Sequence, residues 1–320
     1  MAAVTAARRL ELGSRRAAIW VALLVTVLWS SSWILIRWGF AEEGLTPLTF
    51  SALRYGLAAI VLVGWVIFRE RHSRFRVHPD RGFLARLILL GVVFYAITQG
   101  AMFVALAEQP AATTSLVLSL TPLFVAVGAA ISLSEVPGRW QLFGAALVAI
   151  GAWLFFAAGL GATAAGMVAA IVALGANVMS ALLGRSINRS GQLPPVTVTA
   201  ASMAIGAGLL VFVGIGAEGV PDVSARGWLL IGWLAVVNTA LAFTLWNLSL
   251  GRLSALESAG INNTMLIQIA LLAWLFLGEA PGFIGLAGIA LVTIGVYLTQ
   301  TGRRAWRSRA PDEGAGSPIL

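Results

Sequence analysis

The 320-residue chain is 59% hydrophobic and only 11% charged. A soluble globular domain carries about 25% charged residues, so a water-soluble fold is excluded. The net charge is +8, all 21 Lys/Arg positions are arginine, and cysteine is absent, which rules out disulfides, thiolate catalysis and Cys-ligated metals.

In chain order, residues 1–16 form a basic N-terminus with Arg8, Arg9, Arg15 and Arg16, and an apolar run at 17–36 follows. A basic start before an apolar run also describes a signal peptide. This run is long, contains Trp20, Trp29 and Trp33 and lacks a small-residue cleavage site, so it reads as a first spanning helix. Further runs lie near 47–68, 84–106, 111–133, 139–158, 163–184, 195–217, 227–250, 254–277 and 282–301. Runs of about 20 residues cross roughly 30 Å of hydrocarbon as helices. The alternating strands of a barrel are not visible, which leaves helices as the spanning solution. The expectation is an all-α integral membrane protein with ten transmembrane helices. Pro47 and Pro195 stand at helix starts, where a missing N–H costs nothing. Residues 302–320, rich in Pro, Gly and charge, are expected to be a disordered cytoplasmic tail.

The arginines lie between the apolar runs and read as orientation signals rather than as a nucleic-acid patch. With the N-terminus inside, eighteen of the 21 fall in cytoplasmic segments; Arg37 and Arg226 lie on the far side and Arg54 lies within the second helix. That bias predicts that the N- and C-termini are both cytoplasmic.

One stretch occurs twice. Residues 134–154 and 278–298 align without a gap at an offset of 144, matching Glu135, Pro137, Gly138, Gly144 and Gly151 with Glu279, Pro281, Gly282, Gly288 and Gly295. Each repeat then holds five helices, 17–158 and 163–301. Five is odd, so the second copy enters the membrane from the opposite side, an inverted-topology repeat.

Polar residues inside spans are costly in hydrocarbon and tend to face a cavity or another helix. Tyr95, Thr98, Gln99 and Met102 share one face of the third helix, and an offset of 144 maps them to Thr239, Ala242, Phe243 and Trp246. The plain alternative is helix packing with aromatic anchors. Trp29, Ser32 and Trp33 share a face of the first helix; Asn177 and Ser180 lie three apart in the sixth. Asn238 and Asn247 lie in the eighth helix, and Asn262, Asn263 and Gln268 in the ninth. For each alone a satisfied interhelical hydrogen bond suffices. Together they predict a neutral, aromatic-lined cavity whose substrate-binding residues are Tyr95, Gln99, Trp246 and Asn262, with Trp33 and Asn177 completing its walls. Arg54, the one charge well inside a span, could pair with a substrate carboxylate. A structural role, capping carbonyls or pairing with Glu42 or Glu43, is the preferred expectation. Both histidines, His72 and His78, lie in one polar loop, and no helix carries Asp. No metal site, cofactor or enzymatic centre is therefore expected, and an intramembrane enzyme or a non-transporting subunit is a remote alternative.

Four parts of the chain resemble the drug/metabolite transporter superfamily, in particular its EamA-type members. They are Trp29–Trp33, Pro47-x-x-Phe50-x-x-x-Arg54, Thr114-Ser115 running through Pro122 to Ser134-Glu135, and the second-repeat Gly278-Glu279. The usual Gly-Glu before the fifth helix is Ser134-Glu135 here. The resemblance covers 17–301 and implies a carrier of amino acids, other metabolites, drugs or nucleotide sugars, with amino-acid exporters, including aromatic ones, the nearest analogue. The expectation is export of small amphipathic metabolites, most of all amino acids, by alternating access across a bacterial cytoplasmic membrane. Its partners would be a small-molecule substrate and lipid, with no nucleic acid, and a monomer would suffice.

Overall fold

Apolar runs this long become helices because lipid offers no partner for free backbone groups, and polar caps fix where several of them start. A computed structural model describes residues 14–70, 79–125, 139–157, 161–219, 221–250, 252–253 and 255–301. The N-terminal residues 1–13, the loop 71–78 with both histidines, the segment 126–138 with Glu135, and the tail 302–320 lie outside them.

The helices are α1 (Arg15–Glu43), α2 (Pro47–Glu70), α3 (81–108), α4 (111–125), α5 (Arg139–Ala157), α6 (Ala164–Ser190), α7 (Pro195–Glu218), α8 (225–250), α9 (Ala255–Leu277) and α10 (Gly282–Thr301). Side chains of Ser14, Asp80, Thr163 and Ser224 accept from backbone N–H groups in the first turns of α1, α3, α6 and α8, satisfying donors that a helix start leaves open. Pro195 opens α7 at its first turn, as read from the sequence. α4 is interrupted by a turn at Leu120, where the Leu120 N–H bonds the Val117 carbonyl. Pro122 lies just beyond and cannot donate the next helical bond.

Seven of these helices are long and apolar enough to cross a membrane; α4, α5 and α10 contribute shorter apolar stretches. α1 is longer than its apolar run: it covers 29 residues and ends at Gly44, whose φ of 60° is left-handed. At 1.5 Å per residue it reaches about 44 Å, so its last two turns carry Arg37, Glu42 and Glu43. α6 likewise extends to Ser190 and ends at Gly191 with φ 64°. The molecule is apolar on its outside as well as within, with Trp20 72% and Phe283 88% exposed, as a surface facing lipid requires.

The halves interlock. α5 and α10 cross at the duplicated glycines. A Cβ on Gly151 would stand 2.7 Å from the Gly288 carbonyl oxygen, and one on Gly295 2.6 Å from that of Gly144. Close backbone approach of this kind is what small residues provide where no hydrophobic force drives helices together. α3 and α7 cross in the same way: a Cβ on Gly91 would lie 2.6 Å from the Ser202 carbonyl oxygen, and one on Gly206 would run into the Gly91 backbone.

Two helices share an irregularity. α3 is π-helical over Gly91–Thr98 and α8 over Val236–Leu241. The offset of 144 carries 91–98 onto 235–242, so the two segments are repeat equivalents. In each a threonine hydroxyl donates to the carbonyl five residues back, Thr98 to Val93 at 2.9 Å and Thr239 to Leu234 at 2.8 Å. π turns inside α-helices are rare and frequently lie at functional sites.

Candidate functional site

The serine run of α1 is a hub. Ser30 donates to Gln268 Oε1 of α9 at 2.9 Å, and Gln268 Nε2 donates on to Thr26 and Thr264. Asn238 Nδ2 of α8 donates to the Leu28 carbonyl and to the hydroxyls of Ser31 and Ser32. Three consecutive serines on a helix point in different directions, about 100° apart, so one short stretch ties α1 to both α8 and α9.

Arg54 of α2 reaches this hub and is only 4% exposed. Its Nε donates to Thr239 Oγ1 at 3.1 Å and its Nη2 to Ser32 Oγ at 3.5 Å. Thr239 belongs to the π segment of α8, so the irregular turn presents its hydroxyl to the guanidinium. The Arg54 Cζ stands 5.1 Å from the centroid of the Tyr55 ring and 6.0 Å from that of Phe103, within cation–π range. The Tyr55 hydroxyl donates to Gln99 Oε1 at 2.7 Å. The Tyr55 ring packs edge-on against Tyr95, with centroids 5.9 Å apart. Phe94 meets Tyr95 edge-on, with centroids 4.7 Å apart. α1, α2, α3 and α8 therefore converge on one buried polar and aromatic cluster.

Of the residues predicted from sequence, the structure brings Tyr95, Gln99 and Arg54 together, and Trp33 lies in the same buried apolar core as Tyr95 and Tyr55. Trp246 occupies an adjoining stack: its ring centroid is 5.3 Å from that of Trp29, which lies 5.3 Å from Phe243. Asn177 Nδ2 donates to Thr121 Oγ1 at 3.0 Å and so links α6 to α4. Asn262 is exposed, whereas the Nδ2 of its neighbour Asn263 is buried without a partner. Sequence reasoning missed Tyr55, which sits beside the conspicuous Arg54; it set Thr239 on the duplicated face as the offset mate of Tyr95 without counting it among the substrate-binding residues. Ser32, which the sequence places on one face with Trp29 and Trp33, accepts from Arg54 and Asn238.

The partners of Arg54 also differ from the sequence expectation. Neither Glu42 nor Glu43 pairs with it: Glu42 is exposed, and Glu43 accepts from Ser224 at the start of α8. Other carboxylates bind helix starts. Glu218 at the end of α7 accepts from the N–H groups of Leu48 and Thr49 at 3.1 and 2.7 Å. Glu279, in the loop before α10, accepts from the Ala111 N–H at 2.9 Å and lies 3.4 Å from Arg37, whose Nη1 donates to the Leu106 carbonyl. Burial pushes the Glu279 carboxyl above the usual carboxylate range, against the opposing pull of Arg37 and of backbone N–H groups. Among the described residues no group of His, Cys, Asp and Glu could hold a metal ion.

The chain is 26% identical over 301 residues to a protein of Streptantibioticus cattleyicolor described as a probable terminal-alkyne amino-acid exporter, covering 93% of this chain and 98% of that one. A crystal structure at 20% identity covers 91% of this chain and 100% of its own, with a TM-score of 0.63; at that identity it speaks for the fold alone. Residues 16–157 and 166–301 each match the EamA-like transporter family. Two such matches along a chain of apolar helices identify a multi-pass membrane transporter, and the chain belongs to the EamA-like transporter family.

Proposed function

We propose that this transporter exports small amphipathic metabolites, amino acids foremost, from the cytoplasm of a bacterium by alternating access. Its ten helices cross the inner membrane as two inverted five-helix repeats with both termini inside. The observation that carries this is the buried cluster of Arg54, Tyr55, Tyr95, Gln99 and Thr239, assembled from both repeats at their equivalent π segments. Polar groups at a repeat interface, formed by irregular helices, are how transporters of this kind hold a solute. Aromatic rings offer walls for an apolar side chain, while the amide and guanidinium orient a polar end. Trp29, Phe243 and Trp246 extend the aromatic wall along α1 and α8. The amino-acid reading is also supported by the exporter description of the Streptantibioticus relative.

Counterflow tests it. Purified protein in liposomes loaded with one unlabelled amino acid should accumulate that amino acid in labelled form, apolar and aromatic ones most strongly. Accumulation of sugars, nucleotides or drugs with no amino acid among the substrates would refute the amino-acid assignment. No accumulation of any solute would refute transport by exchange.

A further inference from the structure

We infer that Arg54 is the docking point for a substrate carboxylate, so that the carrier selects solutes with a free carboxylate and an apolar body. The inference rests on the exporter reading and names the substrate chemistry of that same cluster.

The guanidinium is buried, and it cannot escape by losing its proton, because arginine stays charged at any accessible pH. A buried charge is costly unless an opposite charge compensates it, and an ionisable group among apolar helices marks a functional site by default. No carboxylate among the described residues lies within salt-bridge distance of Arg54. Glu43 is committed to Ser224, Glu218 to the start of α2, and Glu279 to Arg37 and the start of α4. Hydroxyls and ring faces are the compensation on hand, and they are neutral.

The hydroxyls hold the cation in place without neutralising it. Thr239 donates its own proton to the Leu234 carbonyl and Ser32 donates to the Leu28 carbonyl, so each turns a lone pair toward Arg54. Five N–H groups project from a guanidinium. The bond to Ser32 is at the long limit of 3.5 Å, and Nη1 has no partner among the described residues. Gln99 Nε2 is in the same position, its oxygen being taken by the Tyr55 hydroxyl. Two uncommitted donors, one of them cationic, suit an acceptor-only anion, and a planar carboxylate matches the fork of an arginine.

The cluster holds one positive charge. Arg37 is engaged at Leu106 and Glu279, and Arg226 lies over the Trp38 ring at 4.6 Å. A single cation walled by Tyr55, Tyr95 and Phe103 fits a monoanionic carboxylate on an apolar skeleton better than a phosphate dianion.

Acid and amide pairs separate the possibilities. In proteoliposomes, the wild-type protein should exchange L-leucine and L-phenylalanine at least tenfold better than L-leucinamide and L-phenylalaninamide, since a hydrogen bond to a charged group is worth about a factor of ten or more. Arg54→Gln should lose that preference, and Arg54→Lys should keep part of it. Should the variants fail to fold, the wild type still decides: the acids should raise its melting temperature and the amides should not. Amides exchanged as well as acids, or a preference intact in Arg54→Gln, would overturn the Arg54 assignment and leave the exporter reading standing. Exchange of neither acids nor amides, whether or not a carboxylate-free solute is carried, would overturn both.

Discussion

The Tyr55–Gln99 bond offers the sharpest test of the cluster's geometry. Both side chains are buried, Gln99 being 9% exposed, and the hydroxyl-to-amide distance is 2.7 Å. Tyr55→Phe removes one oxygen and leaves the ring in its edge-on contacts with Tyr95 and Phe103 at 5.9 and 6.4 Å. What is lost is the hydrogen bond, and what remains is a buried amide oxygen with no donor. Stranding a buried acceptor costs about 1–3 kcal/mol. Gln99→Leu should cost a similar amount by stranding the phenol. The double variant Tyr55→Phe/Gln99→Leu removes both polar ends and keeps both shapes, and paired apolar replacement can be nearly neutral. The two single losses should therefore not add: the double variant should lose less than either single, which makes the coupling energy at least about 2 kcal/mol. Reversible unfolding by SDS in mixed micelles would measure all four proteins. Additive losses would show that Tyr55 and Gln99 do not meet, and the assembly of α2 against α3 described above would be wrong.

Glycine crossings predict the opposite kind of failure. Gly151→Leu and Gly288→Leu must separate α5 from α10 at backbone contact, and overpacking costs about 1–3 kcal/mol; Gly64→Ala and Gly208→Ala, with open space around the added carbon, should stabilise by about 0.5–1 kcal/mol. Unfolding midpoints that move alike in both pairs would refute the crossing. Glu279 should make stability depend on pH. Its folded carboxyl titrates above its unfolded value, so the folded state binds more protons in between, and stability must fall as pH rises from the ordinary carboxylate value to the raised one. Glu279→Gln should remove that slope, and equal slopes in the two proteins would refute the burial argument. Reporters fused after residues 76 and 309 should both read cytoplasmic and one near residue 222 periplasmic; any reversal would break the inverted repeat.

Much of this fold was legible because lipid permits so few backbone solutions. Apolar run lengths located the helices, and the Gly144/Gly151 and Gly288/Gly295 pairs, conspicuous at a fixed offset, turned out to be the points where α5 and α10 touch. The same offset pointed to equivalent faces of α3 and α8, and so to Tyr95 and Gln99. It could not reveal that both helices widen into π turns there, because an extra residue in a turn leaves no trace in periodicity over so short a span. Thr239, which accepts from Arg54, lies within the π segment of α8. Ser32 shares a face of α1 with Trp29, and both meet α8, Trp29 at Phe243 and Trp246 and Ser32 at Asn238. That the same hydroxyl also accepts from Arg54 could not be read from a helical wheel, because only packing brings α2 there.

Arg54 shows most clearly where sequence reasoning stops. Proximity in sequence made Glu42 and Glu43 its natural partners. Yet α1 continues as helix through both, and Gly44 then turns the chain, so Glu43 is carried to Ser224 at the start of α8 while Arg54 descends along α2. Charge pairing in this chain follows helix ends: Glu43, Glu218 and Glu279 each meet the first turn of another helix, where the backbone N–H groups and the helix dipole already favour an anion. Each acid thereby finds a partner at a terminus. The arginine deeper among the helices pairs with no carboxylate among the described residues, and in the docking proposal a substrate anion balances it. A carrier needs this asymmetry, since an internal carboxylate partner would compete with the substrate for the same guanidinium. Introducing one should demonstrate it: Thr239→Glu should neutralise Arg54 in place, preserve folding through the new ion pair, and abolish acid-selective exchange. A Thr239→Glu protein that still exchanged L-leucine in preference to its amide would mean that the open donors of Arg54 never meet the substrate.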